Sequence, residues 1–133
     1  MARRKKETDG LTPLELQMMQ VLWTEGPSDV QTVQRHLPEG MDLAYTTVQT
    51  MLNVLARKGK VKRKLKGRAY EYYPVLTKEK AAGQAVREVV ERLFGGSSED
   101  LVMSLIKDRK VDAARIVELS KEIETLKKRS GDE

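Results

Sequence analysis

The alternating segment from Val61 to Pro74 constrains the fold of this chain more than any other stretch of its sequence. Valine and leucine alternate with lysine in VKRKLK, and a period of two is typical of a β-strand. Lys66-Gly67-Arg68 predicts a tight turn, because Gly67 is free to adopt a positive φ. The run YEYY then predicts a return strand that ends at Pro74. We therefore expect a β-hairpin here, and not a solvated, disordered basic segment.

Two helices are expected upstream of this hairpin. Thr12 can cap the first helix, Pro13 suits its first position, and Gly26-Pro27 ends it. Ser28 is expected to cap a second, short helix, which Pro38-Glu39-Gly40 stops. The residues of this second helix that are expected to face inward are Val30, Val33 and Leu37.

A third helix is expected from Ala44 to Lys58, and Gly59 ends it. Advancing about 100° per residue puts an apolar stripe within about 60° of Val48. The other members of this stripe are Ala44, Met51, Leu52 and Leu55. Three helices followed by a β-hairpin predict a winged helix-turn-helix domain over residues 11–76.

The opposite side of the third helix is polar and has no acidic residue. It carries Thr46, Gln49, Thr50, Asn53 and Arg57. Gln and Asn can pair with adenine, Thr offers a hydroxyl and a methyl group, and Arg suits guanine or phosphate. The alternative is an ordinary solvated face, but such faces usually carry Glu and Lys. The pattern favours a helix that reads base edges in DNA.

The positive charge of the chain is one-sided. The net charge is +5, of which residues 1–10 carry +2 and residues 11–76 carry +3, while residues 77–133 are neutral. A one-sided basic patch is typical of proteins that bind a polyanion. In the hairpin, alternate lysines share one strand face and stand roughly 7 Å apart, a spacing that suits phosphates. Protection of an edge strand against aggregation is the alternative for these lysines. The candidate DNA-binding residues are Tyr45, Thr46, Thr47, Gln49, Thr50, Asn53, Arg57, Lys62, Lys64, Lys66 and Arg68.

Residues 77–133 are charge-balanced and helical in pattern, and we expect them to form a dimerisation domain. One helix is expected over about residues 78–94, a second after a cap at Ser97 or Ser98, and a last one over about residues 112–129. The apolar residues of the last helix are spaced 3, 4 and 3, which suits packing against another subunit. The candidate dimerisation residues are Leu101, Leu105, Ile116, Leu119, Ile123 and Leu126. Residues 1–10 are expected to form a flexible basic arm.

Nothing in the sequence favours an enzyme, a metal site or a cofactor. The chain has no cysteine, and His36 is its only histidine, so a Cys/His pair and a cysteine-based metal site are excluded. The acidic residues lie beside basic ones at helical spacing, as on exposed faces. The sequence shows neither an apolar run long enough to span a membrane nor a signal peptide, so we expect a cytoplasmic protein without membrane insertion.

Three segments together resemble the penicillinase-repressor family of bacterial transcription factors, which includes the β-lactamase, methicillin-resistance and copper-transport-operon repressors. They are LTPLELQMMQVLW, TTVQTMLNVLARKG and KGRAYEYYP, and the resemblance extends over residues 11–128. It implies a homodimer that represses transcription from a palindromic operator overlapping a promoter, with β-lactamase or other stress and resistance genes as targets. It also implies that Arg68 lies at the wing and that a DNA-facing helix carries Thr46, Thr47, Gln49, Thr50 and Arg57.

Two family features do not carry over to this chain. In antibiotic-responsive members a membrane sensor protease, which would be a further partner, triggers cleavage at an Asn-Phe bond. That position holds Ser104-Leu105 here, and Asn53 is the only asparagine. Copper-responsive members carry a cysteine motif that this chain lacks. One alternative stays open, a winged helix that assembles with protein instead of an operator. Control by a ligand bound between the domains is compatible with repression and also stays open.

Overall fold

The computed structural model of the chain describes residues 10–130, so the predicted basic arm lies outside the described residues except for Gly10. The described chain is mainly helical with one antiparallel hairpin, which confirms the predicted fold class. It divides into two compact units, and the boundary between them falls between Val86 and Arg87. Its elements in chain order are α1 (Pro13–Glu25), α2 (Val30–Arg35), α3 (Tyr45–Arg57), β1 (Val61–Lys66), β2 (Ala69–Pro74), α4 (Lys78–Leu93), α5 (Ser98–Lys107) and α6 (Ala113–Ser130).

Helix α1 begins and ends where its local sequence predicts. Thr12 and Glu15 form a reciprocal capping box, in which each side chain accepts a hydrogen bond from the other residue's backbone N–H, at 3.1 and 2.9 Å. Pro13 occupies the first turn, where its missing N–H costs no hydrogen bond. Gly26 ends the helix at φ +85°, and its N–H donates to the Leu22 carbonyl.

The predicted cap of α2 is wrong by one residue. Asp29, and not Ser28, is the N-cap, and its carboxylate accepts a hydrogen bond from the Thr32 N–H at 2.8 Å. Ser28 instead forms a β-bridge with Tyr72 through two backbone hydrogen bonds, of 3.1 and 2.8 Å. Both Ser and Asp are good caps, so the local sequence does not distinguish them. The choice depends on a strand that lies more than forty residues downstream.

The three N-terminal helices and the hairpin enclose one hydrophobic core. On α3, Val48, Leu52 and Leu55 are completely buried, which confirms the centre of the predicted stripe. Ala44 is exposed, contrary to the prediction, because it is the extended N-cap residue and lies outside the helical period. Complete burial of an aliphatic side chain such as Val48, Leu52 or Leu55 contributes about 1.5–3 kcal/mol to the stability of the fold. The other buried apolar residues of this core are Met18, Met19, Val21, Leu22, Val30, Val33, Val61, Tyr72 and Leu76.

The hairpin has a two-residue turn, since Lys66 pairs with Ala69. Gly67 takes φ +67°, as its sequence position predicts, while Arg68 does not adopt a positive φ. That combination is the pattern of a type II′ turn, whose twist suits a hairpin. The turn thus fixes which residues of the two strands face each other.

The described elements of the C-terminal unit are all helices. Gly95 and Gly96 both take positive φ after α4 ends, and Ser97 caps α5 by accepting a hydrogen bond from the Asp100 N–H at 3.1 Å. Of the two predicted caps, Ser97 is therefore the one used. No helix within residues 10–130 is long and apolar enough to cross a membrane.

Candidate nucleic-acid interface

The exposed face of α3 is a polar surface that carries most of the residues predicted on that helix to bind DNA. Burial of Val48, Leu52 and Leu55 fixes the rotation of the helix, so that the residues on its other side face solvent. The predicted residues that lie exposed on α3 are Tyr45, Thr46, Thr47, Gln49, Thr50 and Arg57. The structure therefore brings six of the seven predicted α3 residues to the surface together.

Asn53, the seventh, is partly buried and bonded within the domain. Its Oδ1 atom accepts hydrogen bonds from the Tyr72 hydroxyl at 2.8 Å and from Arg63 Nη1 at 2.9 Å. Tyr72 is only 1% exposed, so this amide links α3 to the core side of the hairpin. The base-reading role of Asn53 stays a prediction, and this role competes with the bonds that the amide already makes.

The hairpin separates its basic residues onto two faces. Residues that pair across an antiparallel ladder share a face. Val61 and Tyr72 are buried, so the face that contains them packs toward the helices. The lysines lie on the opposite, outer face. The outer face carries the pairs Lys62–Tyr73, Lys64–Glu71 and Lys66–Ala69, and the inner face carries Val61–Pro74, Arg63–Tyr72 and Leu65–Tyr70.

Glu71 offsets part of the charge on the outer face. Its carboxylate lies 3.7 Å from the Lys66 ammonium and accepts a hydrogen bond from the Tyr73 hydroxyl at 2.8 Å. That hydrogen bond, with a smaller effect of burial and of the Glu71 charge, raises the pKa of Tyr73. An exposed ion pair of this kind adds little stability. Lys62, Lys64 and Arg68 are exposed.

Arg63 is the one basic residue of β1 that is not among the predicted DNA-binding residues. It lies on the inner face of the hairpin, where its guanidinium sits 4.1 Å from the centre of the Tyr70 ring and bonds to Asn53. The period of two places Arg63 on the same strand face as Val61 and not on the face of the lysines. This pattern in the sequence could have shown that Arg63 has a different role. Of the three hairpin tyrosines, only Tyr72 is fully buried.

An ion pair attaches the end of α3 to the start of α1. Lys58 Nζ lies 2.7 Å from Glu15 Oε2, and Glu15 is 2% exposed. Burial of the Glu15 carboxyl favours its neutral form, but hydrogen bonds from Lys58 and Thr12 and the charge of Lys58 outweigh burial and lower the pKa of Glu15. The pair fixes the end of α3 from which the predicted contact Arg57 projects.

The predicted dimerisation residues lie on the surface of the single chain. Ile123 is 53% and Leu126 is 60% exposed, and no residue of α6 is buried. Leu105 is 37% exposed, while Leu101, Ile116 and Leu119 are partly buried. Further exposed apolar residues, which the prediction did not include, are Val86, Val89, Leu93, Met103 and Val117.

His36 lies at the C-cap of α2, at the surface. Its Nδ1 atom is 2.9 Å from the Thr32 carbonyl oxygen, and its Nε2 atom is 3.8 Å from a carboxylate oxygen of Glu25. Within residues 10–130, no group of three His, Cys, Asp or Glu side chains could hold a metal ion.

Comparisons with known proteins identify a family whose profile matches most of the chain. The profile of the penicillinase repressor family matches residues 11–125. The penicillinase repressor of Bacillus licheniformis is 23% identical, over 93% of this chain and 97% of that protein. The transcriptional regulator BlaI of Mycobacterium tuberculosis is 33% identical, over 78% of this chain and 77% of that protein. The solution structure of the DNA-binding domain of the repressor BlaI is similar over 55% of this chain and 89% of that domain, at 26% identity and a TM-score of 0.49.

Proposed function

The chain belongs to the penicillinase repressor family, and on that premise we propose that it is a transcriptional repressor that binds a palindromic DNA operator as a homodimer. It acts by binding and not by catalysis. Its place of action is the cytoplasm, where the operator is. The winged helix of residues 11–76 binds DNA, and residues 77–133 hold two subunits together.

The observation that carries this proposal is the exposed polar face of α3. A recognition helix needs one apolar face to dock on its own domain and one polar face to read base edges in the major groove. Val48, Leu52 and Leu55 supply the first face, and they leave Gln49 and Thr50 exposed on the second. Threonine is a poor helix former, so helix stability does not explain its repeated use here.

Phosphate contacts orient the protein on the duplex, and base contacts select the sequence. We assign the first role to Arg57, at the end of α3, to Arg68, at the hairpin turn, and to the hairpin lysines. The second role falls to Thr46, Gln49 and Thr50. The charge distribution supports phosphate contacts by the winged helix, because residues 11–76 carry a net +3 and residues 77–133 are neutral.

The proposal of a homodimer is supported by the apolar residues that the C-terminal helices expose. A second copy of the chain that covers Ile123 and Leu126 would remove from water two large side chains that are more than half exposed. A dimer with two winged helices matches a palindromic site, with half-sites about 34 Å apart, or a multiple of that distance. We propose that the boundary with the winged helix lies within α4, because Ala81 packs against the N-terminal core.

A protein-assembly role without an operator is not favoured, because the exposed face of α3 is polar and carries a net positive charge. A membrane sensor protease is also left out of the proposal. The family's cleavage position holds Ser104-Leu105, which lies inside α5.

Selection of bound duplexes from a random pool tests the proposal. We expect enrichment of an inverted repeat and an affinity that falls steeply as salt rises, because phosphate contacts release counterions. Gln49→Ala should broaden the selected sequence, whereas wild-type protein that enriches no sequence would contradict operator-specific repression.

A further inference from the structure

The junction between α3 and the hairpin holds an arginine in a fixed position beside the polar face of α3. We infer that Arg63 contacts the DNA backbone and that Asn53 is a positioning residue for its guanidinium, and not a base reader. This inference rests on the proposed function, since it concerns how the same interface grips DNA.

Asn53 is itself anchored to the core. Its Oδ1 atom accepts a hydrogen bond from the hydroxyl of Tyr72, a side chain that is 1% exposed. The backbone of Tyr72 is in turn bonded to Ser28 at both its N–H and its carbonyl group. The amide oxygen therefore has a fixed position at the surface of the domain, and Arg63 Nη1 donates to it at 2.9 Å.

Tyr70 holds the guanidinium from a second direction. The Arg63 carbon Cζ lies 4.1 Å from the centre of the Tyr70 ring, within the range of a cation–π contact. A planar guanidinium that is both stacked and hydrogen-bonded loses less rotamer freedom on binding than a free surface side chain does. Arg63 remains exposed to solvent in this position.

The partners of Arg63 leave its charge uncompensated. An amide oxygen and an aromatic ring are neutral, and in the described part of the chain no carboxylate lies within ion-pair distance of this guanidinium. By contrast, Lys58 pairs with Glu15 and Lys66 with Glu71. A guanidinium with free N–H groups is well suited to a phosphate, which it can bind through two parallel hydrogen bonds.

The position of Arg63 suits a phosphate beside the groove that α3 would enter. At about 100° per residue, Asn53 falls on the same side of α3 as Gln49, Thr50 and Arg57. Arg63 lies directly against Asn53, on the inner hairpin face, whereas Lys64 points to the outer face. Bidentate recognition of adenine by Asn53 would need both Oδ1, which accepts from N6, and Nδ2, which donates to N7, but Oδ1 already accepts two hydrogen bonds.

A double-mutant cycle on duplex binding tests this assignment, with the full-length protein and the duplex selected by the wild type. Arg63→Ala should weaken binding about tenfold or more on every sequence alike and lower the salt slope by about one. Asn53→Ala should weaken binding less, leave the selected sequence unchanged, and have no further effect in the Arg63→Ala background. Arg63→Lys should restore the salt slope and only part of the affinity.

Tyr70→Leu provides a second variant, because Tyr70 is 39% exposed and its loss leaves the Asn53–Tyr72 bond in place. It should weaken binding in the wild type and not in the Arg63→Ala background. Thermal unfolding of each variant separates loss of contact from loss of fold. Arg63→Ala that binds like the wild type would overturn the inference, as would Asn53→Ala that loses preference at one base pair. Wild-type protein without sequence preference would instead overturn the proposed function.

Discussion

The carboxylate of Glu15 lies 2.7 Å from the ammonium of Lys58, so one contact joins the first turn of α1 to the residue that caps α3. The same carboxylate accepts a hydrogen bond from the Thr12 backbone, and Glu15 therefore serves both a helix cap and a link between helices. Its pKa is lowered despite burial, which means that the folded state favours the ionised form.

Glu15→Gln should destabilise the N-terminal unit by about 1–3 kcal/mol at neutral pH, because it removes a charged hydrogen bond and keeps the shape of the side chain. A lowered folded pKa stabilises the protein above the unfolded value of about 4.5, and this contribution is lost as pH falls through the folded pKa. The difference in the free energy of unfolding between wild type and variant should thus be constant above about pH 5.5 and shrink below about pH 4.5. Chemical denaturation at several pH values measures it. Glu25→Gln, on the exposed end of the same helix, is the control and should change stability little.

Gln49→Ala and Arg57→Ala should alter DNA binding in different ways. Loss of a base-reading amide should reduce discrimination at one base pair by about 1–3 kcal/mol. Loss of a phosphate contact should weaken binding to all sequences and lower the salt slope by about one. Titrations of both variants against matched and mismatched duplexes at several salt concentrations measure the two effects. If the variants behaved alike, the division of roles on α3 would be wrong.

Ile123→Asp should raise the dissociation constant of the dimer at least tenfold, since it puts a charge into a surface proposed to be buried between subunits. Operator affinity should fall with it, because one winged helix offers few contacts. Thr125→Asp is the matched control: it adds the same charge about 200° around α6, where no apolar contact is expected. Sedimentation velocity at micromolar concentrations distinguishes the two. A wild-type protein that sediments as a monomer would contradict the proposed dimer.

Gly67→Ala and Gly83→Ala should change stability in opposite directions. Gly67 takes φ +67° at the hairpin turn, so an added Cβ is strained there and should cost about 1–2 kcal/mol. Gly83 lies inside α4 without a positive φ, and an added Cβ would meet nothing within 4 Å. That substitution should stabilise the helix by about 0.5–1 kcal/mol. Thermal unfolding of the two variants under identical conditions makes the comparison.

Features that depend on neighbouring residues could be predicted from the sequence. Thr12 and Gly26 act within one helical turn of their partners, and Gly67 acts within its own turn. Features that depend on distant partners could not. Ser28 has the chemistry of a helix cap, yet it pairs with Tyr72 in the hairpin. Nothing near Ser28 in the sequence indicates that a strand will lie beside it.

The candidate site shows the same limit. Helical periodicity identified the polar face of α3, because the period alone decides which side chains share a face. It did not show that Asn53 on that face bonds to Arg63 and Tyr72, which lie ten and nineteen residues further along the chain. In the hairpin, the period of two separated the two faces, but only the packing of Val61 and Tyr72 shows which face meets the helices.

Trp23 gives the molecule a fluorescence reporter at one defined position. It is the only tryptophan in the chain, it packs against the N-terminal core, and its indole N–H donates to the Leu76 carbonyl at 2.9 Å. The fluorescence of Trp23 will therefore report when the segment that follows the hairpin separates from α1. Far-ultraviolet circular dichroism follows the helices of both units at once. Two unfolding curves that do not coincide would show that the units lose their structure in separate steps.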